Sequence, residues 1–218
     1  MAEPALGFLL HSEQNPDGEV CVTCTHYNGE TDLTQYKRID KLTFNFVGKY
    51  VPLRSSSYAA RYEPAQASDI ARWLNHYKGS LKNLSIFGPL LLDDTTGRLS
   101  LDDFTSLDTL VIDPMYLSDE REEIQDYPQR IHTALPKSIR HIKLTYSGLP
   151  KSPEHWGYLP ELLPRLDKLE SVMICVVGNR NEAQMETNIP DHIRQKYAEE
   201  HVDLEVTFED PPKQGVCI

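Results

Sequence analysis

Cys21-Val-Thr-Cys24, with His26 two residues further on, has the spacing of a redox pair or of half a zinc site. A tetrahedral structural zinc needs four ligands, normally from two such pairs. The second pair is missing: Cys175 and Cys217 stand alone, and no His lies at the usual spacing from another. Residues 19–24 read better as a short β-strand in which cysteine serves as a small hydrophobe. No metal and no cofactor is expected. The Gly-x-Ser-x-Gly elbow, His-Glu-x-x-His and a phosphate loop ending in Gly-Lys-Ser/Thr are all absent, and the stretch from Gly88 to Gly97 carries Leu90-Leu91-Leu92, too apolar for a phosphate cradle. Two pairings remain as chemistry. Asp113 with Lys143 would make a proton-transfer couple, and Cys175 with His141 a nucleophile and its base. Whether either forms depends on the elements that carry them.

Those elements recur. A phrase apolar-x-x-apolar-x-apolar appears as Leu81-x-x-Leu84-x-Ile86, Leu107-x-x-Leu110-x-Ile112, Ile139-x-x-Ile142-x-Leu144 and Leu169-x-x-Val172-x-Ile174. Weaker copies begin at Ile39 and at His201. Each ends in a short alternating run, the mark of a half-buried strand whose even positions face inward. Between phrases the period becomes helical. Ile70, Trp73, Leu74 and Tyr77 form an amphipathic stripe, with Ser68 as N-cap and Gly79 as stop. Residues 189–198 read as a second helix with Pro190 near its first turn, whereas Pro160 and Pro164 break 159–166 into short turns. The acidic run 119–126 reads as a solvated face.

One helical piece per strand, repeated at roughly 30 residues, implies right-handed crossovers and a parallel sheet. The odd positions include Lys41, Asn83, Asp113, His141, Lys143, Asp203 and Glu205. One sheet face must therefore meet water, which a sheet covered by helices on both faces does not allow. The expected fold class is α/β: a solenoid with a parallel sheet of about six strands on its concave face and short helices or loops on its convex face. Residues 1–38 form an N-terminal capping segment with a short β element, 39–208 the repeat array, and 209–218 a flexible C-terminal tail.

Leu-x-x-Leu-x-Leu resembles the strand core of leucine-rich repeats. Residues 135–144, Leu-Pro-Lys-Ser-Ile-Arg-His-Ile-Lys-Leu, and 163–172, Leu-Pro-Arg-Leu-Asp-Lys-Leu-Glu-Ser-Val, are similar to the irregular repeats of fungal F-box and leucine-rich-repeat proteins. The resemblance covers roughly residues 39 to 208. Two departures limit what it implies. Most copies lack the asparagine that follows the strand core, so no asparagine ladder is expected. The first 38 residues show no F-box-like helical segment, so ubiquitin-ligase recruitment is not carried over.

Charge narrows the partners. Lys+Arg of 22 against Asp+Glu of 33 leaves a net charge of −11, and such a field disfavours nucleic acid and anionic membranes. No apolar run approaches the roughly 18 residues of a membrane span. Met1-Ala-Glu-Pro lacks the marks of a signal peptide, so a cytoplasmic or nuclear chain with reduced thiols is expected. Cys217 is second from the end rather than fourth, which argues against prenylation. The sequon Asn83-Leu84-Ser85 falls in an expected strand and is set aside.

On that register Asp113, His141, Lys143 and Thr145 converge in the middle of the concave face, and these are the candidate binding residues. Cys175 and His141 are offset by about four residues along adjacent strands, on the order of 13 Å, which is beyond hydrogen-bond reach. The primary reading is a binding module that holds a protein or peptide on the concave face. The alternative is an enzyme or small-molecule binder whose pocket is built there by segments 47–66 and 177–188, lined by Tyr50, Tyr58 and Tyr62. A purely structural scaffold is the third reading. A deep enclosed pocket would mark the enzyme and a broad open arc the binder.

Purified protein is expected to hold no stoichiometric zinc by elemental analysis; zinc that disappears on mutation of Cys21 or Cys24 would overturn this.

Overall fold

Apolar residues at matched positions of successive phrases become neighbours across one open sheet. The computed structural model describes residues 9–14, 20–25, 36–45, 67–87, 99–117, 131, 133–146, 156–177 and 189–209. Its strands are β1 (Leu9–Gln14), β2 (Val20–Thr25), β3 (Lys41–Asn45), β4 (Asn83–Phe87), β5 (Thr109–Ile112), β6 (His141–Tyr146), β7 (Ser171–Val177) and β8 (Asp203–Glu209). They form one eight-stranded sheet in sequence order, with β1 antiparallel to β2 and every later pair parallel. The expected strands centred on 42, 84, 110, 142, 172 and 204 are all present and adjacent in that order. The N-terminal segment holds two strands rather than one short element, and β2 joins the main sheet. Residues 9–14 read Leu-Leu-His-Ser-Glu-Gln, without the alternation that would have announced β1.

The strands pair without offset. Leu42, Leu84, Leu110, Ile142, Val172 and Leu204 stand opposite one another across five successive pairings. A rung of backbone hydrogen bonds just before each strand fixes that register. The carbonyl of Asp40 accepts the N–H groups of Lys82 and Asn83 at 2.8 and 3.0 Å. Lys82 O does the same for Asp108 and Thr109, Asp108 O for Arg140 and His141, and Arg140 O for Glu170 and Ser171. Serine hydroxyls add side-chain ties one residue earlier: Ser80 Oγ donates to Ile39 O at 3.1 Å and Ser138 Oγ to Leu107 O at 2.7 Å. No asparagine is needed for these links.

Asp40 is fully buried and joins this system to β2. Its Oδ2 accepts the Val20 N–H at 3.2 Å and its Oδ1 accepts Arg38 Nε at 3.0 Å. Burial pushes its pKa up, but the Arg38 and Val20 hydrogen bonds and the charges of Arg38 and Lys82 outweigh that and hold it below the usual carboxylate range.

The even positions of the strands make the core. Leu84, Leu110, Ile142 and Val172 are each at most 2% exposed. Helix α1 (Ala67–Leu74), extended by a 3₁₀ turn over Asn75–Tyr77, buries Ile70, Trp73, Leu74 and Tyr77 against this face. Trp73 stacks on Phe44 at a centroid distance of 6.3 Å. The helix begins at Ala67, so Ser68 lies inside its first turn rather than capping it. The apolar stripe dictates which face is buried and leaves the first residue open. Short helix α2 (Leu159–Leu162) has Pro160 in its first turn, and α3 (Asp191–Glu199) follows Pro190. Tyr197 of α3 donates its hydroxyl to Leu159 O at 2.8 Å, tying the two together.

Two inward assignments need correction. Leu204 is half-buried rather than buried, because β8 is the last described strand and has a neighbour on one side only. His201 does not play the part of the leading apolar residue. It has φ 58° and terminates α3, with its N–H bonded to Ala198 O and the Val202 N–H bonded to Tyr197 O. That is a Schellman arrangement, in which the residue past the helix takes the left-handed conformation. Segments 47–66 and 119–126, and 177–188 beyond Val177, lie outside the described residues.

Replacing Leu110 by Asp places a carboxylate in a fully buried position with no partner, at a cost of several kcal/mol. Loss of the cooperative unfolding transition in circular dichroism is expected; a stable, cooperatively folded Leu110→Asp protein would contradict the core assignment.

Candidate functional site

Odd-numbered strand residues face away from the core and are mostly half-buried, in a pattern of alternation along β4, β5 and β6. On this open face the register sets Asn83, Thr109, His141, Ser171 and Asp203 in one row. Adjacent strands are about 4.8 Å apart, so each side chain can reach only its nearest neighbours unless it is long.

His141 opens β6, and its Nδ1 lies 2.9 Å from Ser171 Oγ. Its Nε2 lies 3.7 Å from Glu170 Oε2. Glu170 in turn binds Arg140, whose Nε donates to Oε1 at 2.8 Å, and Arg140 Nε also lies 3.9 Å from Asp108. The residues just before successive strands thus alternate in charge: Asp40, Lys82, Asp108, Arg140, Glu170. Each carboxylate neighbours a cation on an adjacent strand, and Lys82 Nζ sits 3.7 Å from Asp40. Arg140 is held protonated by the Glu170 hydrogen bond and charge, with Asp108 adding to them.

A serine, a histidine and a carboxylate in contact invite comparison with a nucleophile–base–acid triad. Ser171 and His141 meet the distance requirement. Glu170 does not, since 3.7 Å exceeds a hydrogen bond and its other oxygen is engaged by Arg140. The histidine and glutamate side chains are 42% and 48% exposed, so water screens the group.

Lys143, two residues on, does not make the expected pair with Asp113. Its Nζ reaches across β7 to Glu209 Oε1 at 2.6 Å, away from β5. Glu209, assigned above to a C-terminal tail, is the last residue of β8. The Lys143–Glu209 pair closes over Cys175, which is therefore buried rather than displayed on the open face. Burial pushes the Cys175 thiol up, and hydrogen bonding to Glu209 adds to that; Thr207 and the Lys143 charge oppose it. Among the described residues the Thr207 hydroxyl is buried and makes no hydrogen bond of good geometry. The Lys143 hydrogen bond holds Glu209 below the usual carboxylate range against partial burial, and the same bond raises Lys143. Cys175 pairs in register with Thr145, four residues beyond His141, so the register keeps sulfur and imidazole apart.

Asp113 lies one residue past β5, half-buried, where its carbonyl accepts the Tyr116 N–H at 3.1 Å as the chain enters a 3₁₀ turn over Pro114–Tyr116. Thr145 is half-buried in β6. Of the four candidates, His141, Lys143 and Thr145 share one strand face, and Asp113 stands at the far end of the neighbouring strand. The site sequence reasoning missed is the charged edge of Asp108, Arg140 and Glu170. Its signal was present in the alternating signs at one repeat position.

Cys21 has a free thiol and is half-buried in β2, while the side chain of Cys24, and His26 and Cys217, lie outside the described residues. Among the described residues no three His, Cys, Asp or Glu gather at metal-binding distance, and no helix is long and apolar enough to cross a membrane. A shallow depression of about 560 Å³, lined by Lys137, Glu161, Pro164 and Arg165, lies at α2 and the turn before β6 rather than on the open face. Comparison with protein-family models, curated proteins and solved structures finds no match to the chain.

Glu209 has a depressed pKa in the folded chain, so its bridge contributes stability above the ordinary carboxylate range and loses it as pH falls through the folded value. The stability difference between wild type and Lys143→Ala in denaturant titrations should therefore shrink on acidification. Alkylation of Cys175 at neutral pH, followed by mass spectrometry, should quicken several-fold in Lys143→Ala. An unchanged rate would contradict the covering role.

Proposed function

We propose that the chain is a short leucine-rich-repeat-like solenoid whose open strand face, treated as concave, holds a protein or peptide partner. Strand order that follows the sequence and pairing without offset support the solenoid, because each repeat then rests on its neighbours alone. The observation that carries the binding reading is the row Asn83, Thr109, His141 and Ser171, half-buried amide, hydroxyl and imidazole groups on successive strands. They offer hydrogen-bonding groups about 4.8 Å apart to a chain laid across the strands. The nearby charges are compensated: Arg140 binds Glu170 and Lys143 binds Glu209. The partner on this reading is read by hydrogen bonds at His141 and Ser171, with Lys143, Thr145 and Asp113 at its border, rather than by a free cation.

The 2.9 Å contact of Ser171 with His141 is the observation that favours an enzyme instead. A serine-directed fluorophosphonate separates the two readings, since a nucleophilic Ser171 would be labelled and a hydrogen-bonding one would not.

A photo-crosslinking residue placed at Thr109 should capture a discrete partner, whereas the same group at exposed Gln195 on α3 should not. Binding of the identified partner should fall by about tenfold or more in Ser171→Arg while the melting temperature holds, since a bulky charge there obstructs the face. Equal capture at both positions, or unchanged binding by Ser171→Arg, would sink the assignment.

A further inference from the structure

We propose that the outer edge of β8 takes an added β-strand from a partner, and that this strand alternates apolar with basic residues. Three features of β8 lead there. Asp203 N–H bonds inward to Glu170 O at 2.9 Å, so the backbone groups of the even residues Leu204, Val206 and Phe208 point away from β7. Among the described residues nothing pairs with them, because β8 ends the sheet. An edge of this kind is a template for strand addition.

The inward face of β8 is also incomplete. Leu204, Val206 and Phe208 are only half-buried. Residues at the same register on β7, Val172, Ile174 and Val176, are at most 2% exposed. Apolar side chains on an added strand would extend the row and complete its cover.

Charge selects the occupant. Residues 199–210 carry Glu199, Glu200, Asp203, Glu205, Glu209 and Asp210 and no Lys or Arg. Asp203 and Glu205 are exposed on the open face of β8, and Glu209 is already bound to Lys143. Lysines or arginines at alternate positions of the added strand would stand opposite Asp203 and Glu205, where unlike charges across strands are favourable. A second copy is disfavoured. Pairing β8 with β8 would oppose Asp203, Glu205 and Glu209 to one another, and like charges directly opposite destabilise a sheet.

This edge adjoins the row around His141 and Ser171, since Asp203 stands opposite Ser171; protection of the β8 main-chain amides tells strand addition apart from binding on that row. The probe is a fluorescein-labelled peptide of alternating Val and Lys, titrated against the full chain by anisotropy. Its Val/Glu counterpart and a form N-methylated at alternate residues serve as controls. Asp203→Lys with Glu205→Lys should weaken the Val/Lys peptide about tenfold or more, and N-methylation should weaken it likewise. The Leu204, Val206 and Phe208 amides should gain exchange protection on binding. Asp203→Asn with Glu205→Gln, a milder pair, should weaken it in the same direction and serves if the reversed pair does not fold. Absence of binding, equal binding of the Val/Glu or N-methylated peptide, binding indifferent to both variant pairs, protection at another strand, or a dimer through β8 in sedimentation would each overturn the proposal.

Discussion

One carbonyl per repeat, shared between two N–H groups of the next, is the constraint on which the rest of this chain depends. Asp40 O, Lys82 O, Asp108 O and Arg140 O each accept both the equivalent residue of the following repeat and the residue after it. A slip of one residue would break this rung and turn every apolar strand position toward water. With the rung in place, Leu42 through Leu204 fall opposite one another and the odd residues fall on the other face together. Core and open face are two consequences of the same backbone geometry.

The rung also explains where charge goes. Its residues stand at the edge of the sheet with side chains on neighbouring strands in reach, and alternation of sign turns that proximity into attraction. Arg140 between Asp108 and Glu170 is the clearest case. Exposed pairs of this type add little stability singly. Their larger effect is on specificity, because a register shifted by one residue would separate the pairs and set most of these charges opposite apolar or uncharged residues such as Leu81, Leu107 and Leu169. Buried Asp40 is different, since its carboxylate is desolvated and its hydrogen bonds to Val20 and Arg38 must compensate. It links the N-terminal hairpin to the first repeat.

Fold was more legible than site. Period-two apolar runs such as Ile142-Lys143-Leu144 announce a strand with one dry face, and their regular recurrence announces adjacency. The strand β1 escaped because Leu9 and Leu10 are consecutive and the rest is polar. His201 misled because a residue in the left-handed conformation after α3 can occupy a position that pattern alone assigns to the strand phrase. The Lys143 pairing failed for a different reason. Strand spacing allows Lys143 to meet Asp113, but the lysine is long enough to cross β7 and reach Glu209, which the sequence pattern places beyond the array. That crossing also buries Cys175, which period-two logic puts on the open face. Strand patterns predict side-chain direction well and side-chain reach poorly.

Distances between spin labels test the in-order, zero-offset sheet most directly. With the native cysteines replaced, labels at Lys41→Cys and Ser171→Cys are four strand steps apart, and labels at Lys41→Cys and Asp203→Cys five. Pulsed electron resonance should give backbone separations of about 19 Å and about 24 Å, growing with each strand counted. A separation to Ser171 equal to or longer than that to Asp203 would mean a sheet whose strand order departs from the sequence, and would contradict the shared-carbonyl register.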